Sequence, residues 1–226
     1  MRNKLIIVFT LSLLLVACNN EADVKEQSED STLQGIEVSG NQAAGSFQAV
    51  FPELSNFYDQ SDNSFEYTQF NNAGTRNSMD SVKEYAIVKE QLKPYAYLLI
   101  YNNDSSQAID LYSYNYIETK KGNNRNWEQG EADTEVALID FKKNTRRRLY
   151  FSGPSYAVLD AKWIGDDSIA LATAEIISDQ KSKPSFIKLY LKEKQQETIE
   201  YGDTLQLDIN NYVEKKMNRV RTTPAF

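Results

Sequence analysis

Histidine is absent from the chain, and cysteine occurs once, at position 18. The first absence removes the commonest general base together with the commonest zinc ligand. Nucleophilic catalysis of the Ser-His or Cys-His type is therefore excluded, and a zinc site is disfavoured. The second excludes a disulfide framework, which needs cysteines in pairs, so stability has to come from packing. Basic charge is also short: 25 Lys and Arg stand against 32 Asp and Glu, a net charge of −7. An acidic surface repels the phosphate backbone and anionic bilayers, which argues against nucleic-acid binding. Any membrane attachment must come from something other than charge.

What is present is enough apolar material for a real core. Hydrophobic residues make up 41% of 226 positions, with 14 Tyr, 10 Phe and 2 Trp. That suffices for one medium domain or two small ones, and the bulk is not disordered by composition.

The N-terminus has its own logic. Arg2 and Lys4 form a short positive region, and Leu5 to Val16 is an apolar run broken only by Thr10 and Ser12. The run is shorter than the roughly 20 residues a spanning helix needs. It ends in Leu15-Val16-Ala17-Cys18, followed by Asn19 and Asn20. This order of charge, apolar run, small residue and cysteine resembles the signal peptide and lipobox of bacterial lipoproteins, over residues 1–18 only. The resemblance implies cleavage after Ala17, diacylglycerol on the Cys18 thiol and a further acyl chain such as palmitate on the new amino terminus. It also removes Arg2 and Lys4, making the mature chain two charges more negative. Asn19 stands where Asp would be the familiar inner-membrane retention signal of enteric bacteria, so outer-membrane placement is expected, on either its periplasmic or its surface face. Asp30-Ser31-Thr32, Asp80-Ser81-Val82, Asp167-Ser168-Ile169 and Asp203-Thr204-Leu205 resemble the Asp-Ser/Thr-apolar O-glycosylation sites of Bacteroidota envelope proteins. Asp-Ser and Asp-Thr are also ordinary turn and cap pairs.

From Asn19 to Ser46 the chain is rich in Glu, Asp, Gln, Ser and Gly, and reads as a solvated acidic tether. Its acidity is also compatible with a surface-export signal. One β-rich domain is expected over residues 47–226. Phe65 to Phe70 alternates like a strand. Ser81 to Leu92 suits helix or strand, and Pro94 closes it. Tyr95 to Tyr101 is a continuous apolar run, a candidate central strand. After the Asn102–Ser106 turn, Ala108 to Ile117 reads as one long alternating strand. Three hairpins follow: Glu135–Phe141 with Arg146–Phe151, Tyr156–Ile164 with Ser168–Ile177, and Phe186–Leu191 with Glu197–Tyr201. Ile209, Val213 and Met217 have helical spacing, so a short C-terminal helix is expected.

A faint repeat runs through the hairpins. Ile139–Lys142 through Leu149–Phe151 aligns at constant offset with Leu189–Lys192 through Ile199–Tyr201, and Leu99–Tyr101 through Ile109 fits the same shape. Leu159 to Ala170, with Trp163 ahead of the Asp pair, resembles the Trp-x-x-Asp-Gly turn hairpin of propeller repeats, although no Gly follows. Periods of roughly 40 to 50 residues are propeller-like. The expected fold is mainly β, built of antiparallel meander and hairpins as a sandwich or partly open barrel, with propeller-like repeats as the alternative.

Candidate chemistry is thin. Asp59-Gln60-Ser61-Asp62-Asn63 offers oxygens, but Ser64 and Phe70 stand where a calcium loop needs Gly and Glu. Asp166 and Asp167 are adjacent, and Asp140 and Asp160 read as outward positions on amphipathic strands, so no carboxylate pair suggests glycoside hydrolysis. In Arg146-Arg147-Arg148 the middle residue opposes the other two, as on a solvated edge strand. Tyr112, Tyr114 and Tyr116 would share one face of a strand with Asp110, either as cross-strand packing or as a stripe that stacks on sugar rings. Trp127 and Trp163 could join such a stripe. No catalytic residue, metal site or cofactor is expected. The expectation is a lipid-anchored, non-catalytic binding or accessory subunit contacting another envelope protein. The alternative is a carbohydrate-binding lipoprotein, with a carboxylate-based glycosidase third.

Overall fold

The computed structural model describes residues 47–77, 84–121, 124–130 and 132–222. Cys18, the tether, and the Asp30 and Asp80 tripeptides lie outside the described residues.

The N-terminal part of the domain is helical, not extended. Residues 47–50 are helical, and α1 spans Pro52–Ser61 with proline in its first turn, where the missing N–H costs nothing. Phe47, Phe51, Leu54 and Tyr58 recur at helical spacing and are all but fully buried. The expected strand at Phe65–Phe70 is instead a turn with a single 3-10 segment at Tyr67–Gln69; β1 begins only at Phe70 and runs to Asn77. The turn is set from outside: Glu66 N–H donates to the Tyr201 hydroxyl at 2.9 Å, and the Phe65 and Tyr201 rings lie 5.4 Å apart.

β2 (Glu84–Ala86) and α2 (Lys89–Leu92) divide the ambiguous segment between strand and helix. The apolar run after Pro94 is not a central strand. Lys93–Leu98 forms a 3-10 segment, and only β3 (Ile100–Tyr101) pairs, as an edge. The long strand expected after it is broken in two: β4 (Gln107–Asp110), then a turn, then β5 (Tyr116–Lys121), which pairs with β6 (Asn124–Gln129) alone. The hairpins fall where alternation and turn residues place them: β7 (Thr134–Asp140) with β8 (Thr145–Ser152), β9 (Tyr156–Gly165) with β10 (Ser168–Ser178), and β11 (Lys181–Tyr190) with β12 (Gln195–Tyr201). β13 (Leu205–Gln206) adds to β11, and α3 (Ile209–Thr222) is the expected C-terminal helix.

The fold is mainly β and sandwich-like, and its two large sheets share one plan. The first has the order β1-β12-β11-β10-β9, the second β2-β8-β7-β4-β3, all antiparallel. Each is a four-stranded meander in chain order, with an earlier strand added outside its last one. The sheets keep separate edges and do not close into a barrel. The repeat extends to the turns: Asn144 and Lys194 close equivalent four-residue loops with φ of 56° and 55°, a left-handed conformation that few residues with a Cβ adopt.

Packing follows the alternation along each strand. Ile169 and Leu171 of β10, with Ile187 and Leu189 of β11, meet Ile109, Val136, Leu138 and Leu149 of the second sheet in one core. The opposite face of the first sheet, through Ala170, Ala172 and Phe186, packs on Phe47, Phe51, Leu54 and Tyr58. The first sheet is thus covered on both faces, which is why β10 is buried continuously from Ile169 to Thr173 and on through Ala174. Among the described residues, the outer face of the second sheet carries a small cluster around Leu99, Ala108 and Ile139.

Candidate functional site

The β5–β6 ribbon is an insertion in the second sheet that the first sheet lacks at the equivalent place. In the first sheet, β10 passes to β11 through a two-residue turn at Asp179-Gln180; at the equivalent place in the second, the chain leaves the sheet after Asp110 and rejoins it at Thr134. The departure is made by Asp110, 2% exposed at the end of β4. Its Oδ1 accepts the Ser113 N–H at 3.0 Å and the Tyr112 N–H at 3.3 Å, and its Oδ2 accepts the Ser113 hydroxyl. This Asx turn competes with strand continuation and wins. Asn115 closes the base: its amide donates to the Asp133 carbonyl and, at 3.4 Å, to the Thr134 hydroxyl, while its Oδ1 accepts the Glu135 N–H at 3.3 Å. Gly130 lies close under Ile117: a Cβ there would come within 2.9 Å of the isoleucine's terminal methyl, which would have to swing aside.

Alternation then sorts the ribbon into two faces. Tyr116 pairs opposite Gln129 and Glu118 opposite Trp127, so Tyr116, Trp127 and Gln129 share the inner face while Ile117 points outward, 55% exposed. The run after Pro94 buttresses this arrangement. Tyr95 and Tyr97 set their rings 5.5 and 6.3 Å from Trp127, and the Tyr95 hydroxyl donates to the Tyr116 carbonyl at 3.1 Å.

Between the inner face of the ribbon, the start of β9, the end of β10 and α3 lies a cleft of about 450 Å³, within the range of small-molecule sites. Tyr112, Tyr116, Trp127 and Tyr156 give it aromatic walls; Gln129 from β6 and Asn210 and Glu214 from α3 give it polar ones. Burial, with the Asp160 carboxylate nearby, pushes the Tyr112 hydroxyl well above its ordinary range, and burial pushes Tyr116 up as well. Both therefore stay protonated at neutral pH and act as neutral polar groups. The Trp127 indole Nε1 is buried with no hydrogen-bond partner among the described residues, a costly state for a donor.

The five aromatics singled out from sequence divide three to two. Tyr112, Tyr116 and Trp127 come together in the cleft, although the expected one-strand stripe does not exist, because the Asp110 turn intervenes. Tyr114 lies elsewhere, its ring edge-on to Phe151 at 6.2 Å. Trp163 is structural: its Nε1 donates to the Ile100 carbonyl at 2.9 Å and ties β9 of one sheet to β3 of the other. Tyr156, Gln129, Asn210 and Glu214 escape the sequence reading. For the helix pair a signal existed, since Asn210 and Glu214 stand one helical turn apart beside the apolar Val213 and Met217.

The carboxylates are occupied structurally. Asp140 is buried rather than outward, accepting from Lys143 N–H at 2.8 Å and Gln107 Nε2 at 3.2 Å. Asp160 lies 2.5 Å from Lys216 of α3, and Asp167 in its turn pairs with Lys192. Asp203, in the bend before β13, accepts the Thr204 N–H at 2.7 Å. β8 lies between β2 and β7 and is no edge strand, so the arginine cluster also needs correcting. Arg146 and Arg148 do share a face opposite Arg147, but they bind buried Glu135, Arg148 Nε at 2.6 Å, and Arg146 reaches Asp110 at 3.4 Å. Among the described residues no helix is long and apolar enough to cross a membrane. No protein family, curated protein or solved structure is significantly similar to the chain.

Proposed function

We propose that the chain is a lipid-anchored protein of the cell envelope, held in the outer membrane through Cys18. There it serves without catalysis as a binding or accessory subunit on another envelope protein. The observation that carries this reading is the β5–β6 ribbon. It is an insertion on a repeated scaffold, anchored at its base by Asp110 and Asn115, with exposed Ile117 on its outer face and an aromatic cleft behind it. Insertions on a rigid scaffold are where binding surfaces are built, and an aromatic, amide-rich wall is the composition of such surfaces. For the anchor, each buried methylene adds about 0.8 kcal/mol, so two or three acyl chains hold durably where one does not.

The test is cross-linking of the native protein in its own membrane, followed by solubilisation and identification of what accompanies it. A stoichiometric envelope protein is expected. Ile117→Asp, at an exposed site, should lose at least tenfold of the cross-linked product with the thermal midpoint unchanged, and Cys18→Ser should lose fatty-acid labelling. Absence of any stoichiometric protein partner from fully lipidated material would overturn the reading.

A further inference from the structure

We propose that the open edge of β5 takes a third strand, an extended segment of the protein partner with acidic residues toward the tip of the ribbon. This rests on the reading of the chain as a binding subunit and names how its partner is held.

The ribbon is unfinished as a sheet. β5 and β6 pair with each other and, among the described residues, with no further strand. Two strands alone are marginal in water, and a third makes such a piece of sheet stable. The phase of the pairing shows which backbone groups are left over. Gly130 N–H donates to the Asn115 carbonyl at 2.8 Å, so alternate pairs beyond it, Ile117 with Glu128 and Thr119 with Asn126, exchange the ribbon's own hydrogen bonds. The backbone groups of Tyr116, Glu118 and Lys120 therefore turn to the open side of β5. At the base of that edge the Tyr116 carbonyl accepts the Tyr95 hydroxyl at 3.1 Å, as this phase requires. Further along, Glu118 and Lys120 present N–H and C=O groups at strand spacing, a template for β-augmentation. Ile117, exposed on the outer face, gives an added strand an apolar side chain to pair with.

Charge selects the occupant. The outer three pairs of the ribbon, Thr119–Asn126, Lys120–Arg125 and Lys121–Asn124, hold Lys120, Lys121 and Arg125 and no acid, on a chain of net charge −7. A strand with Asp or Glu near that end is drawn in, and a second copy of the ribbon is repelled. A phosphate-rich surface would be attracted too, but it offers acceptors alone, and the outward carbonyls of Glu118 and Lys120 need donors.

The full, lipidated chain is cross-linked in its own membrane, and the yield of partner is compared among variants. Proline is tolerated on an edge strand where its N–H would face out, so Glu118→Pro should keep the thermal midpoint and lower the yield about tenfold. Glu118→Ala keeps the N–H and should keep the yield. Residue-resolved hydrogen exchange on the purified complex decides the matter if the proline variant does not fold. Binding should slow the Glu118 and Lys120 amides and leave those of Ile117 and Thr119, bonded within the ribbon, as they were. An undiminished yield in Glu118→Pro, an equal loss in Glu118→Ala, or a product made only of this chain overturns the proposal. Protection of the Glu118 amide in the chain alone does the same, since the edge would then be filled from within. A stoichiometric partner that leaves both amides unprotected would sink this inference and leave the accessory-subunit reading standing. Absence of any partner would remove both.

Discussion

Asp62 closes the end of α1 and reaches across to the C-terminal part of the chain. One oxygen accepts Ser64 N–H at 2.9 Å and the Ser64 hydroxyl at 2.6 Å; the other accepts Gln206 N–H at 2.7 Å. These bonds, that to Gln206 foremost, hold its carboxyl below the usual carboxylate range. A depressed folded-state value means the stabilisation is complete above the unfolded value, about 3.9, and is lost as pH falls through the folded one. Asp62→Asn should therefore cost about 1 kcal/mol at pH 7, and thermal melts should show the gap from the parent closing between pH 5 and pH 2. A gap constant over that range would show that the carboxylate charge is irrelevant. The residue also marks a limit of sequence reading. Asp59 to Asn63 can be rejected as a calcium loop from the sequence, but the Gln206 partner, far along the chain, leaves no local trace. The cleft is the same case. The aromatic content near 112–127 is legible, but which rings meet depends on the Asx turn at Asp110, and an Asp followed by Leu-Tyr-Ser gives that turn little more signal than a strand.

Elements divide by whether their signal is local. The hairpins from Thr134 to Tyr201 were legible because alternation and turn residues agree with each other. The run from Tyr95 to Tyr101 misleads because a continuous apolar stretch has no period, and strand and helical turn both bury it. Residues 47–61 carry a helical signal in the spacing of Phe47, Phe51, Leu54 and Tyr58, with Pro52 beside it, all four side chains being buried. α3 shows how an element with a legible period is fixed by an illegible contact. Its register on the first sheet is held by Lys216, whose Nζ lies 2.5 Å from Asp160 Oδ1 and 3.1 Å from the Leu159 carbonyl. Burial lowers the lysine pKa and the Asp160 carboxylate opposes that shift, so charge here is costly to bury and harmful to leave alone. Lys216→Met strands the carboxylate and should cost about 3 kcal/mol in chemical denaturation. Adding Asp160→Asn should restore most of that loss; a double variant as unstable as the single one would contradict a paired-charge latch.

At the scale of the molecule, a repeated sheet plan could have produced two independent folding units, and the core argues otherwise. The equivalent strands of both sheets place Ile109, Val136, Leu138 and Leu149 against Ile169, Leu171, Ile187 and Leu189 in one cluster, so neither sheet has an inner face of its own to keep buried. The second sheet's outer face offers little compensation, with a small apolar cluster and the Glu135–Arg146 and Glu135–Arg148 pairs. Sequence alignment of the hairpins hinted at the repeat. It could not show β1 and β2 joining the outer edges, because those pairings cross long stretches of chain. The consequence is cooperativity. Leu189→Ala opens a cavity in the shared core at a fully buried position and should cost about 2–5 kcal/mol. Unfolding should remain one transition, followed identically by far-UV circular dichroism and by fluorescence of Trp127 in the ribbon and Trp163 in β9. If the sheets were separate units, the variant would split the curve, because Leu189 belongs to the first sheet and the ribbon tryptophan reports on the second. Coincident curves shifted together would mean that the ribbon and its cleft are carried by the stability of the whole sandwich.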